Sequence, residues 1–234
     1  MKKHLLTILA VLLCGLTASA QTDVTAKYIT NPSFEGGTYN CDNGTGHGNL
    51  LSPEGWTVTY TNADWGWKNF QPVADGKGQS GSKYFEFWGD IYHTLDLSQK
   101  VYSLPAGAYI LTAAMRTERA DQVTNQHIYV KAGNSTYGSA TLGTPIGSAW
   151  NAVDAWQTLT VEFTLDQASD VVIGATSTGE ASSKGWFQID NFRLHEKQWE
   201  FNEATGHLYV NYDYFHFNPE AYPWHSVREQ IKSV

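Results

Sequence analysis

The clearest pattern along the chain is an alternation of apolar and polar residues with a period of two. In Leu159–Leu165, four apolar side chains fall on one face of an extended strand and three polar ones fall on the other. This alternation predicts an antiparallel strand with one buried face. Other segments of strand-like composition, bounded by turn residues, predict further strands. They are Lys83–Trp88, Tyr109–Arg116, Ile128–Val130, Val171–Ala175 and Trp186–Leu194.

The pattern predicts no helix before Lys197. About eight strands without intervening helices are typical of a β-sandwich or a barrel. The segment from Gly36 to Pro53 is rich in Gly, Asn and Asp and predicts a long loop. A tight turn is predicted at Leu104-Pro105-Ala106-Gly107, because Pro fixes φ inside a turn and Gly is favoured at its last position.

Residues 197–234 form a C-terminal extension of a different character. The extension contains many aromatic residues, which is too apolar for a disordered linker. Leu208–Tyr212 has the composition of a strand, and Ser226–Lys232 that of a short helix. Two interpretations stay open: the extension packs on the sandwich, or it begins a further domain.

The first twenty residues predict a signal peptide. Lys2 and Lys3 precede an apolar run from Leu5 to Leu16, and Ala18-Ser19-Ala20 provides a cleavage site. The apolar run is too short to span a bilayer. We therefore expect an exported protein, in the periplasm, on the cell surface or secreted, with a bacterial context and no integral membrane segment after cleavage.

The charge and the cysteine content bear on possible partners and on disulfide bonds. The loss of Lys2 and Lys3 leaves thirteen basic residues against 23 acidic ones, a formal charge near −10. Such a balance argues against nucleic acid as a partner. Cys41 is the one cysteine left after cleavage, so no disulfide within the chain is expected.

Two motifs at the ends of residues 21–196 point to a family. The first is Asn31-Pro32-Ser33-Phe34-Glu35, and the second is Ile189-Asp190-Asn191-Phe192-Arg193-Leu194. Together they resemble the jelly-roll carbohydrate-binding modules of families 4, 9 and 22, in the galactose-binding-like group. The resemblance covers Asp23 to Glu196 and implies an all-β antiparallel jelly-roll sandwich. It also implies that the first and last strands, with Ile29, Phe34 and Phe192, meet in one core.

Exposed aromatic residues are the main indication of a sugar site, because sugar rings stack on flat aromatic faces. Trp65 and Trp67 stand among polar residues, separated by one Gly. Glu86 and Trp88 share one face of a predicted strand, opposite Phe85 and Phe87. The predicted carbohydrate-binding residues are Trp65, Trp67, Glu86, Trp88, Tyr92 and Arg116.

Several of these residues also have a structural interpretation. Arg116 can form a surface salt bridge instead of binding sugar. Trp56 and Trp156 are expected in the core, whereas Trp150 and Trp186 are undecided.

The resemblance also implies a structural calcium ion. Glu35 and Asp190 match the positions that supply carboxylates in the two motifs, and Ca²⁺ takes several oxygen ligands. Such an ion would tie the first strand to the last. No His or Cys pair has zinc-site spacing.

Evidence for catalysis is weak. The glycines of Gly76-Lys77-Gly78-Gln79-Ser80-Gly81 match a dinucleotide-binding pattern, but a strand follows them where that fold needs a helix. We therefore interpret the motif as a flexible turn. No pair of carboxylates can be assigned to the acid and base of a glycosidase from the sequence.

We expect an exported module that binds poly- or oligosaccharide without catalysis, with a glycan-degrading enzyme as a possible partner. Two alternatives stay open. The chain is the N-terminal fragment of a larger glycoside hydrolase, or it is a structural or adhesive sandwich without a sugar site.

Overall fold

Nearly all of the regular structure of the chain is β-strand. The computed structural model describes residues 21–37, 40–41, 51–62, 68–89, 93–117, 125–142, 156–179, 185–202, 206–210 and 225–234. The strands are β1 (Gln21–Asp23), β2 (Asn40–Cys41), β3 (Leu51–Ser52), β4 (Thr57–Asn62), β5 (Lys68–Ala74), β6 (Lys83–Gly89), β7 (His93–Leu104), β8 (Gly107–Thr117), β9 (His127–Ala132), β10 (Ser135–Gly138), β11 (Gln157–Leu165), β12 (Ser169–Gly179), β13 (Gly185–Lys197), β14 (Trp199–Asn202) and β15 (His207–Val210). The described helical turns are α1 (Thr25–Tyr28) and a 3-10 helix (His225–Gln230).

Two antiparallel sheets form the sandwich that the alternation predicted. The larger sheet has the order β11-β8-β13-β6-β5, with β1 added to β13, and the smaller sheet has the order β10-β9-β12-β7-β4. Their inward side chains make one apolar core, which includes Phe85, Phe87, Leu97 and Ile173. The four apolar residues of Leu159–Leu165 are buried in β11. The all-β fold class is thus confirmed.

The two motifs meet in the core, although the predicted first strand through Ile29 and Phe34 is wrong. The chain turns at residues 31–34, where Asn31 has φ 49° and Phe34 has φ 57°, both in the left-handed region. Instead, the Phe192 N–H donates to the carbonyl of Pro32 at 2.9 Å. The rings of Phe34 and Phe192 are both fully buried, 6.4 Å apart and edge to face. A turn, not a ladder, therefore joins these motifs.

Trp56 lies in the core, as predicted. Its ring centroid is 4.6 Å from that of Phe192 and 5.5 Å from that of Phe34. The indole N–H donates to the carbonyl of Asn31 at 3.2 Å. Trp56 therefore fills the space between the two motifs and also satisfies a backbone carbonyl.

Strand β13 contains a bulge where the second motif begins. Asp190 pairs with Ala114, but Arg193 pairs with Thr112, so β13 has one extra residue in this stretch. Asn191 has φ 54° there. An extra residue of this kind changes the direction of the side chains around it.

Two local elements differ from the expectations and a third agrees with them. One helical turn, α1, precedes Lys197, and its Thr25 hydroxyl accepts the Leu194 N–H at 2.8 Å. The predicted 36–53 loop contains a short ladder between β2 and β3. The predicted strand at Leu208–Tyr212 is present as β15, which pairs with β14.

Candidate functional site

A row of polar side chains crosses the larger sheet on the face opposite the core. The pairing of β5, β6, β13 and β8 places Gln71 opposite Glu86, Glu86 opposite Gln188, and Gln188 opposite Arg116. These four residues are called the polar row below. Residues adjacent to them on the same strands, such as Phe85 and Ile189, point into the core. Because side chains alternate along a strand, the polar row faces away from it.

Gln188 joins the two predicted polar site residues. Its Nε2 donates to Glu86 Oε2 at 2.6 Å, and its Oε1 accepts a hydrogen bond from Arg116 Nε. The carboxamide is thus fixed in one orientation, with its donor towards the acid and its acceptor towards the cation. Glu86 and Arg116, predicted separately, belong to one hydrogen-bonded unit.

Arg116 lies between aromatic rings and is buried, so it is not the surface residue that the salt-bridge interpretation assumed. Its guanidinium carbon is 4.2 Å from the centroid of Trp156 and 5.2 Å from that of Tyr84. Only 8% of Arg116 is exposed, and this burial lowers the pKa of its guanidinium. Stacking on two rings compensates part of the cost of burying the cation.

Trp156 is not a core residue, contrary to expectation. It is half-buried on the same face as Arg116, and its ring meets that of Tyr84 edge to face at 5.9 Å. Its indole nitrogen is buried and has no hydrogen-bond acceptor among the described residues. Trp156 thus combines an aromatic surface with a buried N–H donor beside the polar row.

The hydroxyl of Tyr84 forms two hydrogen bonds beside the polar row. It donates to Asp75 Oδ2 at 3.2 Å and accepts from Gln188 Nε2 at 3.4 Å. Burial, with the nearby charges of Glu86 and Asp75, raises the pKa of the phenol well above its usual range. The hydroxyl therefore stays protonated at neutral pH.

The predicted stacking residues cannot all be placed. Trp65, Trp67 and Tyr92 lie outside the described residues. Trp88 is in β6, opposite Trp186 in β13 and Asn69 in β5, two positions along from Glu86.

In each sheet, three strands begin or end side by side. Lys68, Gly89 and Gly185 are neighbours in the larger sheet, as are Asn62, His93 and Gly179 in the smaller one. Residues 63–67, 90–92 and 180–184 connect these ends. Trp65, Trp67 and Tyr92 belong to these connecting stretches of the sequence.

The sequence interpretation missed Gln188, Tyr84 and Trp156 as site residues. Gln188 stands between apolar Phe187 and Ile189 in a predicted strand, so its outward face was readable from the alternation. Its position between Glu86 and Arg116 was not, because that depends on which strands pair.

Glu35 and Asp190, the predicted calcium ligands, both hold the turn between β5 and β6. Asp190 Oδ2 accepts the Ser80 N–H at 2.8 Å. Glu35 Oε1 accepts the N–H groups of Ser82 and Lys83. The proposed flexible turn is thus attached to both motifs through carboxylates.

Asp190 is fully buried, and burial raises the pKa of its carboxyl to about 6, while the hydrogen bonds from Ser80 and Asn191 oppose that rise. The negative charge of Glu35 also raises this pKa.

This carboxylate pair has suitable chemistry for a cation. A positive charge would relieve the repulsion between two acids, one of them buried. Among the described residues, no group of three or more His, Cys, Asp or Glu side chains is placed to hold a metal. Within the described residues, a cation held by Glu35 and Asp190 would take its other ligands from carbonyl, amide or hydroxyl oxygens or from water.

Within the part of the chain that the structure describes, no helix has the length and apolarity needed to cross a membrane.

Comparison with known proteins finds distant structural likenesses. No family model matches the chain. No curated protein matches it either. A carbohydrate-binding module, TmCBM61, solved with beta-1,4-galactotriose, is 20% identical, with a TM-score of 0.45 over 71% of this chain and 96% of that one. The CBM22-1 xylan-binding domain of Paenibacillus barcinonensis Xyn10C is 13% identical, with a TM-score of 0.42 over 70% and 91%.

The K2 cleaved adhesin domain of Lys-gingipain is 10% identical, with a TM-score of 0.39 over 75% of this chain and 98% of that one. The structures to which the chain is similar thus include carbohydrate-binding modules and an adhesin domain. Likenesses at this level do not assign a ligand to the chain.

Proposed function

We propose that the protein is an exported, non-catalytic carbohydrate-binding module. The observation that carries the proposal is the hydrogen-bonded polar row beside the rings of Tyr84 and Trp156. Protein sites for sugars combine fixed polar groups with aromatic faces. Here both lie on one sheet face.

The residues of this face have different roles in binding. Glu86 and Gln188 are half-exposed, so a sugar hydroxyl can donate to the carboxylate or bond to the carboxamide. Arg116 is nearly buried, and it orients Gln188 by donating to its Oε1. Trp65, Trp67, Trp88 and Tyr92 are proposed to stack on sugar rings. Affinity is expected to be modest, because ordering a flexible, hydrated ligand offsets much of the contact energy.

Replacement of Gln188 by Leu tests the polar row. It removes the bridge between Glu86 and Arg116, and we expect sugar affinity to fall by roughly tenfold, as for a lost hydrogen bond to a charged group. Replacement of Trp88 by Ala should cost about 1–3 kcal/mol of binding if it is a central anchor. Affinity would be measured by calorimetry on residues 21–234, with ligands chosen from a panel of plant and host polysaccharides.

The matched control is Thr160→Ala, because Thr160 is exposed on the outward face of β11, away from the polar row. It should bind as the unmodified protein does. If no glycan in the panel binds the folded protein, or both site variants keep full affinity, the sugar site is wrong.

The absence of catalysis is also a proposal. Glu86 is the carboxylate of the polar row, and glycosidases need two carboxylates that flank the scissile bond. Purified protein should release no reducing sugar from any glycan that it binds. Release of reducing sugar, lost on replacement of Glu86 by Gln, would show an enzyme instead.

We also propose that Glu35 and Asp190 bind a structural Ca²⁺ ion. When bound, the ion would stabilise the junction between the two motifs and the β5–β6 turn. Calcium should raise the melting temperature, EDTA should lower it, and Glu35→Gln should reduce the difference. An equal melting temperature with calcium and with EDTA would show that the two carboxylates hold the turn without metal.

A further inference from the structure

A second concave site lies at the edge of the smaller sheet, remote from the polar row. Its cavity has a volume of about 450 Å³. Strand β4 begins at Thr57, opposite Ser98, so the following residues of β7 have no partner in β4. The cavity lies at this step in the sheet edge. Besides Gly55 and Gln99, its lining residues are Lys27, Tyr28, Thr30, Thr57, Lys100 and Tyr102.

The wall of the cavity is held in place by Gln99. Its Oε1 accepts the Thr30 N–H at 2.7 Å, and its Nε2 donates to the Thr30 carbonyl at 2.9 Å. Gln99 is buried, so this pair of bonds replaces the strand pairing that β4 does not provide. Gly55, with φ 80°, lies so close that a Cβ there would be 2.8 Å from the Thr30 side chain. The cavity is therefore formed by the fold itself and does not depend on a mobile side chain.

The charge of the lining is opposite to that of the chain. The whole sequence has a formal charge of −8, yet the described lining residues include two lysines and no carboxylate. Lys100 Nζ is 3.0 Å from Asp170 Oδ2, but both side chains are nearly half exposed, and exposed pairs of this kind are weak. An ammonium group also has three donors, so one bond to Asp170 leaves others for a ligand.

Each lysine stands over an aromatic ring. Lys27 Nζ is 4.8 Å from the centroid of Tyr28, and Lys100 Nζ is 4.8 Å from that of Tyr102. Tyr102 is 66% exposed, so its ring is accessible to a ligand. Ammonium groups, a phenol face and the exposed Thr30 and Thr57 are thus brought together.

We propose that this cavity is a second carbohydrate site, selective for saccharides that bear a carboxylate or sulfate group. The lysines would pair with the anionic group, Tyr102 would stack on the ring, and the threonines would bond to hydroxyls. The proposal shares no residue with the polar row, so either site can fail without the other.

The test is an NMR titration of isotope-labelled residues 21–234. The probes are an oligogalacturonate, a sulfated galacto-oligosaccharide, a neutral galacto-oligosaccharide of equal length, and inorganic sulfate. At least one charged sugar should shift the amide signals of Thr30, Thr57 and Tyr102, and the neutral sugar should leave them unchanged. Which charged sugar binds identifies the anionic group.

The variants are Lys27→Met with Lys100→Met, and the control is Lys131→Met. Lys131 is an exposed lysine of β9, 4.4 Å above the ring of Tyr129, and it does not line the cavity. The double variant should weaken binding of the charged sugar about tenfold or more, and the control should not. Glu86→Gln should have no effect on this binding.

Three results would overturn the proposal. The first is the absence of shifts with both charged sugars. The second is equal binding of inorganic sulfate, which would show an anion site without sugar recognition. The third is a folded double variant that binds as tightly as the control.

Discussion

At the scale of the residue, the two motifs depend on backbone conformations that are costly for most amino acids. Phe34 and Asn191 both have positive φ. For an L-residue this conformation costs roughly 1–2 kcal/mol. Complete burial of a phenylalanine side chain contributes about 1.5–3 kcal/mol, which offsets the strain at Phe34. Core packing therefore determines the local backbone here, and a prediction from strand-like composition fails at this point.

Two glycines of the β5–β6 turn provide a matched comparison. Gly76 and Gly81 have φ 79° and 86°, but a Cβ at Gly76 would meet nothing within 4 Å, whereas one at Gly81 would lie 2.6 Å from the Glu35 carboxylate. Gly76→Ala should cost about 1–2 kcal/mol from backbone strain alone. Gly81→Ala should cost more, because Glu35 must also give up its bonds to Ser82 and Lys83.

Urea denaturation of both variants measures the difference in the free energy of unfolding. Equal losses would mean that Glu35 moves aside without cost and does not hold the turn.

At the scale of the element, β13 connects the core with the candidate site. Before its bulge, Gln188 belongs to the polar row, and after it, Phe192 and Leu194 are buried in the core. A shift of one residue in a strand moves its side chains to the opposite faces of a sheet. Because of the extra residue, Gln188 can point away from the core while Phe192 and Leu194 point into it.

Deletion of Asn191 tests the role of the bulge. Without the extra residue, β13 can keep its pairing with β8 on one side of position 191 only, so we expect loss of cooperative folding. Asn191→Gly keeps the residue count and favours positive φ, so it should fold and stay close to the original stability. Near-ultraviolet circular dichroism and thermal melting distinguish these outcomes. A deletion variant with native melting would show that the bulge is dispensable.

At the scale of the whole molecule, the strands were predictable because burial on one face leaves a period of two in the sequence. The surroundings of Arg116 and Trp156 were not predictable. Trp156 stands at the start of an alternating strand, where a core position was equally reasonable. Its contact with Arg116 depends on the pairing of β11 with β8, which alternation along one strand does not reveal. The hydrogen bonds of Gln188 to Glu86 and Arg116 were unpredictable for the same reason, because they depend on which strands pair.

The described part of the C-terminal extension suggests a test of the two interpretations left open above. Leu208 of β15 is buried, and its N–H donates to the Ser233 carbonyl at 2.8 Å. If the extension folds with the sandwich, Leu208→Ala should lower the free energy of unfolding by about 2–5 kcal/mol in a single transition. Two separate transitions in calorimetry, with only one affected, would show an independent unit.

The position of the polar row on paired strands has a practical consequence. Gln71, Glu86 and Gln188 are set by main-chain pairing, point away from the core and are partly exposed, so their identities can be exchanged without repacking the interior. A display library randomised at Gln71, Glu86 and Gln188 would retain the scaffold while varying what it recognises. The protein is in this respect a starting point for engineered binding proteins.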